Sequence, residues 1–154
     1  MKRSRWCATV IAGTLFLPGV AAAQSPLEIA FKREPGKLVI TAAGKPLATY
    51  VFRDDKKIPR PYFAHVHAPG GVQVTRNHPP VAGKDATDHA EFHPGLWLAF
   101  GDLSGADSWR LMAAVRHDKF SEEPKGGAGK GSFAVTNLYL ANDGKKVICR
   151  ETCR

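Results

Sequence analysis

Between Asp88 and Arg110 the chain reads DHAEFHPGLWLAFGDLSGADSWR, which sets two His, three Asp, one Glu and two Trp among glycines. A His and a carboxylate held across a pocket can act as base and acid on a sugar hydroxyl or ring oxygen, because imidazole titrates near neutrality. His89, Glu91 and His93 are the candidate catalytic groups on this reading. Trp97 and Trp109 offer flat apolar faces for a sugar ring, and Asp88 and Asp102 offer carboxylates to its hydroxyls. A core role for Trp97 and a structural hydrogen bond for His89 or His93 are the plainer alternatives.

Metal ligation competes with acid-base chemistry. His65, His67, His78, Asp88, His89, Glu91 and His93 carry imidazole and carboxylate groups suited to Zn, Mn or Fe. His89 and His93 would share one face of a helical turn, but in a strand they would stand about 13 Å apart. Pro94 disfavours helix at His93, so no residue is assigned as a metal ligand, and no cofactor is identified. Plain glycan binding or structural packing needs no acid-base pair at all.

The elements that must hold these groups read as strands. Leu38–Thr41, Leu47–Phe52, Leu96–Phe100, Leu111–Val115, Phe133–Leu140 and Lys146–Cys149 are rich in β-branched, aromatic and aliphatic residues. Glu34-Pro35-Gly36-Lys37, Ala43-Gly44-Lys45-Pro46, Ala68-Pro69-Gly70-Gly71 and Asn142-Asp143-Gly144-Lys145 supply turns between them. The Asp-Gly pair predicts a tight I′ hairpin after Phe133–Leu140. No sustained helical period is present, so the fold class is all-β, an antiparallel β-sandwich. Leu96–Phe100 is apolar enough for burial on both faces, which would leave the polar groups of the opening segment at the ends of a buried strand. Gly126 to Ser132 lacks the spacing of a phosphate-binding loop and reads as a flexible surface loop.

The first 23 residues read as an export signal, with Lys2, Arg3 and Arg5, an apolar run from Trp6 to Val20, and Ala21-Ala22-Ala23 before the cut. The domain then runs from Gln24 to Arg154, exported to the periplasm or outside the cell, with no transmembrane segment after the signal. Losing three basic residues takes the net charge from +8 to +5. The remaining Lys and Arg are scattered and form no aromatic-interleaved stripe, which argues against a nucleic-acid partner.

Arg60-Pro61-Tyr62-Phe63, Pro69-Gly70-Gly71, Val74-Thr75-Arg76, Asp88-His89, Gly95-Leu96-Trp97, Gly101-Asp102 and Gly105-Ala106-Asp107 with Trp109 occur in an order that resembles the bacterial family labelled methane oxygenase PmoA. The resemblance covers that family's N-terminal half. It implies a mutarotase-like supersandwich and a carbohydrate-related role; Arg60, His67 and Arg76 are further candidate ligand-binding residues. Methane oxidation itself lacks physical support, since it would need several apolar spans, or a histidine at the mature N-terminus where Gln24 stands.

Val147 to Arg154 alternates like a strand and stops without a turn, which predicts a chain truncated within its fold. On one strand face Cys149 and Cys153 would lie about 13 Å apart, beyond the roughly 7 Å reach of a disulfide. Free thiols are the favoured reading over a bend that closes a bridge.

Overall fold

The computed structural model describes residues 26–54 and 58–154. Eight strands lie in chain order: β1 (Glu28–Glu34), β2 (Lys37–Ala42), β3 (Lys45–Val51), β4 (Tyr62–Ala64), β5 (Val115–Lys125), β6 (Gly127–Ala128), β7 (Ser132–Leu140) and β8 (Val147–Cys153). They form a five-stranded sheet of order β4-β3-β2-β1-β6 and a three-stranded sheet of order β5-β7-β8. Every pairing is antiparallel, and no helix occurs among the described residues. The all-β sandwich expected from the strand-like runs is the fold. The proposed signal segment, residues 1–23, lies outside the described residues.

Local chemistry explains the first meander. Gly36, with φ of 74°, turns β1 into β2, and its carbonyl accepts the amides of Phe52 and Arg53 at 2.9 and 3.0 Å. A Cβ there would stand 2.6 Å from the Arg53 carbonyl oxygen, so only glycine fits. Ala43 and Gly44 both take positive φ, 49° and 74°, which is the backbone twist a two-residue hairpin requires between β2 and β3. The period-2 alternation of β2 then drives Leu38 and Ile40 into the interior.

Leu38, Tyr50 and Val135 form the centre of the core between the sheets, ringed by Phe31, Phe52, Phe63, Phe120 and Phe133. Strand β4 is covered on both sides. Phe63 faces this core, while Tyr62 and Ala64 join Ile58 in a second cluster that packs against Val51 and Trp97. That second cluster seats the long connection, residues 65–114, on the outer face of the five-stranded sheet.

Four sequence expectations are corrected. Leu96–Phe100 is not a buried strand: it makes one bridge, Leu96 to Phe63, and exposes Leu96, Leu98 and Phe100 while Ala99 turns inward. Its backbone is held at both ends, by Phe63 and by the Ser108 and Trp109 amides on the Phe100 carbonyl, so it is extended without a continuous ladder. Leu111–Val115 is a turn up to Ala114, with Leu111 at φ of 63° and the Ala113 amide bonded to the Asp107 carbonyl; the strand begins only at Val115. The Gly-rich segment is not a free loop, because Gly127 and Ala128 pair with Ile29 and Glu28. Asn142-Asp143-Gly144 does join β7 to β8, but only Gly144 has positive φ; the Asp143 carboxylate accepts the Lys145 and Lys146 amides, giving a wider loop than the I′ turn.

Cys149 and Cys153 are free thiols on β8, in agreement with the strand reading.

Candidate functional site

Two arginines build the connection that carries the histidines. Arg60 is 4% exposed, and its guanidinium donates to the carbonyls of Phe92 (2.7 Å), Ser108 (3.0 Å) and Trp109 (2.9 Å). Its central carbon lies 3.5 Å from the centroid of the Trp97 ring. Burial lowers its pKa to about 10, which still leaves it charged at neutral pH. Arg76 donates to the carbonyls of Ala86 and Asp88 at 2.8 Å and of His89 and His93 at 2.9 Å. Backbone carbonyls turned toward one planar cation force the intervening chain into a compact loop. Asp85 closes the preceding stretch by accepting from the Asn77 side chain and from the Asn77 and Val81 amides, and these bonds, the Asn77 side chain first, depress its pKa.

Within that frame His89 to His93 is a turn. The His89 carbonyl accepts the amides of Phe92 at 3.0 Å and His93 at 3.1 Å. The extended spacing that would separate the two histidines is therefore absent, and their ring centroids stand 6.2 Å apart. Pro94 follows the turn fully buried, and Gly95 is required there because a Cβ would overlap the Phe63 carbonyl oxygen.

The rings continue as a ladder. His93 to Trp97 is 6.2 Å and Trp97 to Trp109 is 4.8 Å between centroids, the latter edge-on at 63°. Trp109 is 47% exposed, whereas Trp97 is half-buried between Arg60 and the second core cluster. At the other end His89 Nδ1 lies 3.1 Å from Asp88 Oδ2, and that hydrogen bond holds the Asp88 carboxyl below the ordinary carboxylate range. With Nδ1–H donated to Asp88, the His89 Nε2 lone pair is left to accept a proton or a hydroxyl hydrogen. Glu91 is exposed on the same turn.

The structure thus brings together Asp88, His89, His93, Trp97 and Trp109, with Arg60 and Arg76 behind them. Both arginines use most of their donors on main-chain carbonyls and so act as clamps on the connection; Arg60 Nε is left buried without a partner, and Arg76 also lies 3.9 Å from the Asp88 carboxylate. His67 and Asp102 are engaged in their own turns: His67 Nδ1 meets the His65 carbonyl at 2.7 Å, and Asp102 Oδ1 accepts the Gly105 amide at 2.8 Å. Among the described residues no three His, Cys, Asp or Glu side chains gather to hold one metal ion. His78 lies apart from the ladder, edge-on to Tyr62 and 3.7 Å from Asp54, whose carboxylate also accepts the Tyr62 hydroxyl at 3.0 Å.

Phe92, which meets the His89 ring edge-on at 6.2 Å between centroids, is a contributor the sequence reading passed over. Its signal is present in the opening segment, where Phe92 follows His89 at the three-residue spacing of a turn.

Fold and site together define a small antiparallel β-sandwich whose long connection is clamped by arginines into an aromatic surface. Residues 37–154 match the model of a family of unknown function, DUF6807, and the chain belongs to that family. This overturns the resemblance to the methane oxygenase PmoA family: the separate short motifs occur in order, but the match over most of the chain is to DUF6807. No curated protein and no solved structure matches the chain.

Proposed function

We propose that this protein is an exported carbohydrate-recognition protein whose binding surface is the Trp109–Trp97–His93–His89 ladder. The observation that carries the reading is the ladder itself: an exposed indole continuous with two imidazoles, anchored from behind by a buried cation. Sugars present C–H faces that pack on aromatic rings and hydroxyls that hydrogen-bond to imidazole and carboxylate at the rim. Asp88 and Glu91 supply rim carboxylates, and the His89–Asp88 pair supplies a base should the bound sugar be modified. Recognition is favoured over turnover because His89 and Asp88 are each about two-thirds exposed, 67% and 69%, where an acid-base pair is strongly solvated. The export part of the proposal is supported by the basic, apolar and small-residue pattern of residues 1–23.

The test is a glycan array probed with the purified protein beside its Trp109→Ala and His89→Ala variants. The reading expects a defined set of glycans to be retained, with both variants losing signal while unfolding as the parent does. Equal retention by all three proteins, or none by the parent, contradicts it.

A further inference from the structure

A second site lies between the sheets. A half-open cleft of about 270 Å³ lies beneath the extended segment at Leu96 and Leu98, walled by Tyr50, Phe63, Phe133 and Val135. Its lining is mostly apolar, but two polar atoms on it are orphans. The Tyr50 hydroxyl and Asn137 Oδ1 are buried, at 3% and 5% residue exposure, and complete no hydrogen bond, although the Asn137 side chain neighbours both the Tyr50 hydroxyl and the His117 ring. Asn137 is held from its other end, where Nδ2 donates to Glu151 Oε2 at 3.2 Å, so its oxygen is the atom left over. Leaving a buried polar atom unpaired is costly, and sandwich cores do not carry such pairs without cause. Aromatic walls with a small polar end describe a ligand pocket better than a packing fault.

We propose that this cavity binds a small aromatic alcohol, its ring packed against Phe63 and Phe133 and its hydroxyl against Tyr50 and Asn137. The choice of group follows from the atoms present. Asn137 Oδ1 can only accept, and the Tyr50 hydroxyl can donate or accept, so the guest must offer at least one donor. A hydroxyl offers a donor and an acceptor together. The Tyr50, Phe63 and Phe133 rings pack on one another at 5.0, 5.5 and 6.3 Å by centroid and give the lining an aromatic face against which a guest ring packs. The size is above that of a cavity known to take benzene, roughly 150 Å³. The pocket shares the Trp97 wall with the ladder but does not rest on the carbohydrate reading, since its polar groups come from β3 and β7.

The experiment titrates the full chain with 2-naphthol, and with 2-methylnaphthalene as the isostere without a hydroxyl, by naphthol fluorescence and calorimetry. The parent is expected to take one 2-naphthol per chain and to prefer it about fivefold over the isostere, the worth of one net hydrogen bond. Tyr50→Phe should abolish that preference. Leu98→Trp, at an exposed position on the cavity lining, should block both probes without disturbing the core. Absence of saturable 2-naphthol binding, equal affinity for the two probes, or unchanged preference in Tyr50→Phe overturns the proposal. So does binding that weakens as protein concentration rises, which would show a second copy of the chain filling the cavity.

Discussion

The Arg60 guanidinium lies 3.5 Å above the Trp97 ring while its nitrogens hold the carbonyls of Phe92, Ser108 and Trp109. One side chain therefore fixes the tryptophan end of the aromatic ladder and the Phe92 backbone to the sheet, while Arg76 holds the histidine end through the His89 and His93 carbonyls. Lysine keeps the charge but has no planar fork to reach three carbonyls. Arg60→Lys should destabilise the fold by about 2–4 kcal/mol, through lost charged hydrogen bonds and stacking. Urea denaturation measures this, and a change within about 0.5 kcal/mol, the scatter of an ordinary surface substitution, would show that the clamp is not structural.

The pH dependence follows from three imidazoles. His65, His78 and His117 all have pKa values lowered from 6.5, in each case chiefly by burial, with the Asp54 charge partly opposing the shift at His78. A folded state that prefers neutral imidazole binds fewer protons than the unfolded chain, so stability rises with pH across this window. The contribution is fully present above the unfolded value of about 6.5 and is lost as pH falls through it toward the depressed folded values. Urea midpoints should be flat from pH 8 to 7 and fall by pH 5.5. A midpoint that holds or rises on acidification would mean that these imidazoles gain more from partners than they lose by burial.

Much of the fold was legible because hairpin chemistry is local. Pro35-Gly36, Ala43-Gly44 and Asn142-Asp143-Gly144 all mark turns between paired strands; the β2 run alternates as a half-buried strand must, and β7 is an apolar run buried on both faces over most of its length. Strand β5 escaped notice for a physical reason. Its register shifts at His117/Lys119, Phe120/Glu122 and Glu122/Lys125 break the two-residue period, so VRHDKFSEEPK reads as a polar linker. The burial of Leu96–Phe100 was misread because apolar content says nothing about which side a tertiary neighbour will cover. In the site, the residue types in the Asp88–Arg110 segment identified the ring ladder. The clamp roles of Arg60 and Arg76 depend on carbonyls contributed by residues 10 to 49 positions away, which no local pattern encodes.

Two glycines beside β6, Gly126 and Gly131, are steric requirements. A Cβ on Gly131 would stand 2.6 Å from Ile29 Cγ2 and 2.8 Å from the Phe31 ring, and one on Gly126 would overlap the Ile29 carbonyl oxygen. Gly126→Ala should cost about 1–3 kcal/mol, the range for overpacking, and release the β6 edge from β1. Amide exchange at residues 127–129 reports the release, and unchanged protection there would refute the close approach.

Tyr50→Phe removes a buried hydroxyl that completes no hydrogen bond, with the Asn137 side chain as its polar neighbour. Deleting an unsatisfied polar atom returns its desolvation cost, so this variant should match or exceed the parent in stability, by up to about 1 kcal/mol. A loss greater than about 1 kcal/mol on thermal or urea unfolding would mean that the hydroxyl is satisfied in solution and supports the core.

The central claim is that the exposed indole and its neighbouring imidazoles form a glycan surface. It is tested most directly by titrating a glycan retained on the array into parent and Trp109→Ala protein, by calorimetry under one buffer. The account predicts saturable binding to the parent and a loss of affinity of about tenfold or more in the variant, the scale of one ring-stacking platform. Equal affinities in the two proteins would contradict it.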